Sequence, residues 1–237
     1  MINQILTRLR ETLAGHADEN NEGYSTRFFK EEIRFYGVKV PVVHRIAREC
    51  YREIQKWPKN EIFQACEQLW RSGMLEESFV ACDWSYELRK DYLPEDFPLF
   101  ERWVDNYVNN WATCDTLCNH TVGDFLMMYP EFVGRLEQWA RSENRWMRRA
   151  AAVSLIIPAR KGLFLNHIYR IADILLRDTD DLVQKGYGWM LKAASEVYPQ
   201  EVFQYVVSKK AVMPRTAYRY AIEKLSPELR AEAMRRD

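Results

Sequence analysis

A tryptophan and an aspartate four residues apart, Trp111 and Asp115, are the pair in this sequence best suited to chemistry. Four residues make about one helical turn, so the indole and the carboxylate would share a helix face. The pair follows Asn109-Asn110, a polar loop before a helix start, where the helix dipole favours a carboxylate. A fixed carboxylate can stabilise positive charge building up on a reacting carbon and direct a water at it. Two further residues join this set. Arg149 supplies a cation, and Trp189 follows Gly186-Tyr187-Gly188. A glycine inside a helix costs about 1 kcal/mol relative to alanine. Two of them beside a tryptophan imply a close approach to the backbone, by a ligand or by a neighbouring helix.

Other groups carry less. Cys114, Cys118 and His120 form C-x3-C-x-H, but no second pair completes a metal site, and buried thiols are the plainer reading. A thiol enzyme built on Cys114 and Cys118 stays open as a minor alternative. Glu76 and Glu77 read as the acidic start of a helix. No phosphate-binding loop, dinucleotide fingerprint, HExxH or GxSxG motif occurs, so no cofactor and no metal is expected.

The elements that must position these residues are helices. Ile2, Ile5, Leu6, Leu9 and Leu13 follow one helical face, as do Ile168, Ile171, Ala172 and Leu175. The β-branched stretch Val38–Val43 is short and broken by Pro41. Pro41, Pro58, Pro94, Pro130, Pro199, Pro214 and Pro227 each open a new apolar-periodic stretch, whereas Pro158 falls where a helix should end. The segments beginning at Arg149, Lys185 and Arg219 each start with a base and carry leucine at the same offset, at spacings of 36 and 34 residues. Two helices and two turns fill such a period. The expected fold is therefore all-α, an α-solenoid of HEAT-like helical repeats forming one domain over residues 1–237. The repeated bases would lie in register along one side, where they could follow a phosphodiester backbone.

Composition narrows the function classes. Of 237 residues, 9 are glycine and 9 proline, too few turn residues for a many-stranded sandwich or barrel. Hydrophobic residues make up 47% and aromatic residues 14%, which excludes a disordered chain. No apolar run is long enough for a membrane span, and Met1–Ala14 lacks a signal-peptide core, so a cytoplasmic, monomeric protein is expected. The five cysteines, an odd number, read as free thiols. Net charge is zero, but residues 1–110 hold 15 basic and 19 acidic groups and the remainder 19 and 15. Cations thus gather in the second half, where a local nucleic-acid surface can exist despite the neutral total.

The sequence resembles the AlkD-type DNA alkylation-repair glycosylases from Arg27 to about Leu225. The likeness runs through Arg27-Phe28-Phe29-Lys30, Phe35-Tyr36-Gly37-Val38 with Pro41, the W-x-x-x-D of Trp111–Asp115, the W-x-x-R-A-A of Trp146–Ala151, and Gly188-Trp189. The resemblance implies hydrolysis of the N-glycosidic bond of cationic N3- and N7-alkylpurines in double-stranded DNA. It makes Asp115 the catalytic carboxylate, places Trp111 and Trp189 on either side of the lesion's deoxyribose, and gives Arg149 a backbone phosphate. It also implies that the damaged base need not enter a deep pocket. Arg148, Lys185, Arg215 and Arg219 are expected to add phosphate contacts, with Arg45 and Arg48 on the N-terminal arm. Phe28 stands where the family pattern carries a tyrosine, so a hydroxyl contact is lost there. The alternative is a non-catalytic HEAT-like scaffold that binds branched or damaged DNA, or another protein.

Overall fold

The computed structural model describes residues 1–18 and 28–235. Arg27, the first residue of the resemblance, lies outside them. The described residues form helices and no strand; a single isolated bridge joins Arg34 to Met74. The chain divides into two compact units, Met1–Leu117 and Cys118–Asp237.

In the first unit, α1 (Ile2–Gly15) buries Ile5, Leu6, Leu9 and Leu13, most of the stripe its sequence shows. It packs on α2 (Val40–Ile54) and α3 (Lys59–Arg71). Helix α2 contains Pro41 in its first turn, where a missing N–H leaves no bond unmade, and buries Val43, Ile46, Ala47, Cys50 and Ile54. Helix α4 (Leu75–Glu87) lies against both α2 and α3 and is buried on nearly every side, so the apolar stripe of a surface helix is absent from it. Then follow α5 (Phe97–Asn106) and the short α6 (Trp111–Thr116), which packs on α4. The unit's core is aromatic: Phe63, Phe100 and Trp103 sit edge-on or tilted at 5.8–5.9 Å, with Trp70 6.3 Å from Trp103. Under this cluster, burial pushes the Glu67 carboxyl up, but hydrogen bonds from Tyr107, Trp103 and Arg102 outweigh it and hold the group below its ordinary range.

Leu117–Val122 is a π-helical turn, at which the chain passes from the first unit to the second. The second unit holds α7 (Gly123–Met128), α8 (Leu136–Trp139), α9 (Arg145–Val153), α10 (Ile156–Arg160), α11 (Leu165–Leu175), α12 (Asp181–Ser195), α13 (Pro199–Ser208), α14 (Arg215–Ala221) and α15 (Pro227–Ala233). The three helices that begin the repeated segments, α9, α12 and α14, stack in sequence, with α12 against both neighbours. One placement differs from the sequence reading. Helix α9 already ends at Val153, and Pro158 lies in the first turn of α10 instead of closing a helix. The break falls at Ser154-Leu155, so the proline again stands where no intrahelical N–H is needed.

Candidate active site

Trp111 opens α6, and Asp115 follows one turn later. The helix begins there because Asn110, itself buried, caps it: its side-chain oxygen accepts from the Thr113 N–H at 3.0 Å, and its amide donates to Asn109 Oδ1 at 2.8 Å. Asp115 is half-buried and directly precedes the π turn. Such turns are rare and recur at functional sites. The Trp111 indole is held from the other end of the unit. Its Nε1 donates to the Phe28 carbonyl at 3.0 Å, and its ring stacks on Phe29 with centroids 5.6 Å apart and planes at 24°.

Glu76 and Glu77 hold the segment that follows Phe28-Phe29. They do more than open α4. Glu76 accepts from the main-chain N–H groups of Tyr36, Gly37 and Val38 at 2.9–3.0 Å. A positive φ of 91° at Gly37 bends the chain into a concavity of backbone N–H groups around an anion. Glu77, only 1% exposed, accepts a forked pair of bonds from Arg10 and a 2.7 Å bond from the Tyr36 hydroxyl. Burial and the Glu77 acceptor push the Tyr36 phenol well above its ordinary range. The bond from Leu75 N–H to the Arg34 carbonyl completes the attachment.

Between this segment, the starts of α2 and α4, and Trp111 lies an apolar cavity of about 560 Å³. Phe28, Phe29, Phe79, Val40, Leu75 and Trp111 supply most of its wall, and Lys39 and Glu76 are its charged members. Phe28 is 51% exposed, a large apolar side chain left in water. A second, smaller hollow of about 220 Å³ lies further along α2 and α4. There His44 Nδ1 meets Asp83 at 2.7 Å, and the hydrogen bond to Asp83 raises the imidazole above its ordinary range. Neither the cavity nor the two-glutamate attachment was visible in the sequence. The only signal was a pair of adjacent acids at a helix start, which reads as ordinary charge placement.

In the second unit, the double glycine of α12 serves helix packing. A Cβ at Gly186 would lie 3.3 Å from Arg149 Cγ, and one at Gly188 would lie 2.7 Å from Tyr220 Cβ and 2.8 Å from the Ala217 carbonyl oxygen. Arg149 is 5% exposed and donates to the Leu182 carbonyl, tying α9 to α12. Arg148 bonds Asp178 at 2.6 Å and the carbonyls of Ser142 and Glu143. Lys185 pairs with Asp181 at 3.3 Å. Trp189 is half-buried on α12, while Arg215 and Arg219 are exposed, as are Arg45 and Arg48 on α2. None of the five cysteines is in a disulfide and all are buried, and the described residues contain no group of three or more His, Cys, Asp or Glu able to hold a metal ion. No described helix is long and apolar enough to cross a membrane.

The described residues are helical throughout, and their fold matches AlkD-type helical-repeat structures. Residues 9–225 match the family described as DNA alkylation repair enzyme, and the chain belongs to that family. Its fold is shared with a predicted DNA alkylation repair enzyme from Enterococcus faecalis, at a TM-score of 0.80 and 19% identity over 90% of this chain and 98% of that one. It is also similar to AlkD2 from Streptococcus mutans, at 0.66 and 20% over 95% and 100% of the two chains. The smu.31 structure from Streptococcus mutans UA159 follows at 0.58 and 20%, over 79% and 93%. No curated protein matches the chain.

Proposed function

We propose that this protein is a DNA glycosylase that hydrolyses the N-glycosidic bond of cationic N3- and N7-alkylated purines in duplex DNA. The observation that carries this reading is the pairing on α6 of a clamped indole with a carboxylate one turn on, in a chain that matches the DNA alkylation repair enzyme family over residues 9–225.

The chemistry needs little more. An alkylated purine already carries positive charge, so its bond to the sugar is weakened. As that bond breaks, its electron pair moves to the ring nitrogen and the base leaves neutral, without a general acid. Water adds to the sugar carbon, and the proton it sheds passes to Asp115 and then to solvent. Asp115 opposes the positive charge that grows on the sugar, and this is where fixed negative charge accelerates the step. Trp111 offers an aromatic face to the cationic nucleotide, worth about 0.5–2 kcal/mol. Trp189 is assigned the same kind of contact. Arg45, Arg48, Arg215 and Arg219 are exposed and suited to phosphates. Arg148 and Lys185 contribute from their ion pairs, and Arg149 acts by holding α9 to α12.

The test is release of 3-methyladenine and 7-methylguanine from methylated duplex DNA. The parent protein is expected to release both, and Asp115→Asn to lose about 10²-fold or more of the rate, the scale of removing one electrostatic stabiliser. An Asp115→Asn protein as active as the parent would refute the role of the carboxylate. The zero net charge favours, as a second reading, a HEAT-like scaffold that binds branched or damaged DNA, or another protein, without excision. Binding without base release would establish it.

A further inference from the structure

We propose that the smaller hollow between α2 and α4 seats one backbone phosphate of bound DNA, held by His44, Arg48 and Tyr51, and that His44 grips it only while its ring is protonated. This rests on the reading of the protein as one that acts on duplex DNA. It adds to that reading a proton-linked contact outside the residues assigned to the lesion.

The hollow continues the groove in which the cavity lies. Along α2, Val40 and Pro41 line the cavity, and His44, Arg48 and Tyr51 line the hollow. Steps of three or four residues keep this row on one helix face. Along α4, Glu76 and Phe79 line the cavity, and Asp83 and Tyr86 line the hollow, again in steps of three or four. The rings of Phe79 and His44 meet at the join, 6.2 Å apart and tilted by 50°. Duplex lying at Trp111 therefore has the hollow beside it, along the same two helices.

The donors stand around a neutral floor. Trp84 is buried there and donates its N–H to the Ala47 carbonyl at 3.0 Å. His44 Nδ1 lies 2.7 Å from Asp83, and Nε2 has no partner among the described residues. The imidazole is 37% exposed, so a large ligand can reach it. Arg48, one turn on, donates from Nε to the His44 carbonyl, which leaves its terminal nitrogens for an anion. Burial pushes the Tyr51 phenol up to about 12, so it stays a donor at working pH. At about 220 Å³ the hollow is smaller than most small-molecule sites and suits a single phosphate-sized group.

Asp83 makes the grip depend on a proton. It holds N–H on Nδ1, so the state of Nε2 decides what the hollow offers. In the charged ring Nε2 donates to a phosphate oxygen. In the neutral ring it turns a lone pair towards that oxygen instead. The bond to Asp83 raises the imidazole above its ordinary range, and Arg48 opposes this. The other charged groups lie further off. Glu87 is at the far end beside Tyr51, with Arg89 and Asp91 beyond it. From α1, Arg8 pairs with Glu53, nine residues on from His44 and so on the opposite side of α2.

The experiment titrates a labelled, undamaged duplex by fluorescence anisotropy from about pH 6 to pH 9, where histidine changes charge, at several salt concentrations. The parent is expected to lose about tenfold in affinity as pH rises, the scale of one hydrogen bond to a charged group. Its log–log salt slope should become shallower by about 0.9, the counterion release of one phosphate. His44→Gln, neutral throughout, should show the parent's high-pH affinity and slope at every pH. His44→Arg, charged throughout, should keep the low-pH values. Asp83→Asn should move the parent's transition to lower pH. A parent that binds duplex with no pH dependence, or a pH dependence that survives in His44→Gln, overturns the inference and leaves the glycosylase reading standing. Loss of duplex binding in millimolar inorganic phosphate at fixed ionic strength marks a site for the free anion and also overturns it. A parent that binds no duplex at any pH overturns both.

Discussion

Replacing Gly188 by alanine tests the helix stack of the second unit. Two effects oppose each other. Alanine in place of a mid-helix glycine favours the helix by about 1 kcal/mol. Against this, the new Cβ would meet Tyr220 Cβ at 2.7 Å and the Ala217 carbonyl oxygen at 2.8 Å, closer than real contacts allow. One of those neighbours is main chain, which cannot rotate aside, so α12 and α14 must separate. Overpacking of this kind costs about 1–3 kcal/mol, and the backbone contact puts it in the upper part of that range. The net loss is about 1–2 kcal/mol, a fall in Tm of roughly 2–8 °C for a chain of this size. Gly186→Ala is the internal control. Its Cβ would lie 3.3 Å from Arg149 Cγ, a side-chain atom that can yield, so the helix gain roughly cancels the contact. Thermal melts followed by circular dichroism should place Gly186→Ala within about 2 °C of the parent and Gly188→Ala clearly below both. A Gly188→Ala protein that melts at or above the parent would refute the argument that close approach of α14 is what requires glycine there.

The remaining expectations concern the first unit. His44 is held charged by Asp83, so its folded pKa lies above the unfolded value. The stability it contributes is full below about pH 6.5 and is lost as pH rises through the folded pKa. Asp83→Asn should flatten that part of the stability–pH curve, and NMR titration of the imidazole should show its pKa drop; an unmoved titration would sink the assignment. Asn110→Ala removes the cap of α6 and should cost about 1 kcal/mol in denaturant unfolding. It should also slow base release more than it weakens binding to undamaged duplex, because it loosens the helix that carries Trp111 and Asp115.

The helical faces were plain in the sequence because a surface helix must bury one stripe. Ile5, Leu6, Leu9 and Leu13 show this directly. The prolines were legible for a related reason, since a ring without an N–H is harmless only in a first turn. Pro158 was misplaced because nothing local marks the break at Ser154-Leu155 that puts it in a new first turn. The stacking of α9, α12 and α14 followed from the repeat, and the double glycine at 186 and 188 was recognised as a close approach without showing to what. Burial of α4 on all sides erased its periodicity. Contacts made across long stretches of sequence left no trace at all. Glu76 reaches residues about 40 positions earlier, and the bond between Trp111 and Phe28 spans 83. The cavity is assembled from such contacts, so no local pattern announces it.

The carboxylate of Glu76 ties the cavity to the amino-terminal part of the chain. One wall of the hollow is a peptide strip that stays in place because a side chain from another helix grips its amide groups. Glutamine, nearly the same shape, would turn an NH2 towards donors on one side, and aspartate would fall short of them. A single substitution at this position can therefore abolish the hollow while sparing the helices around it.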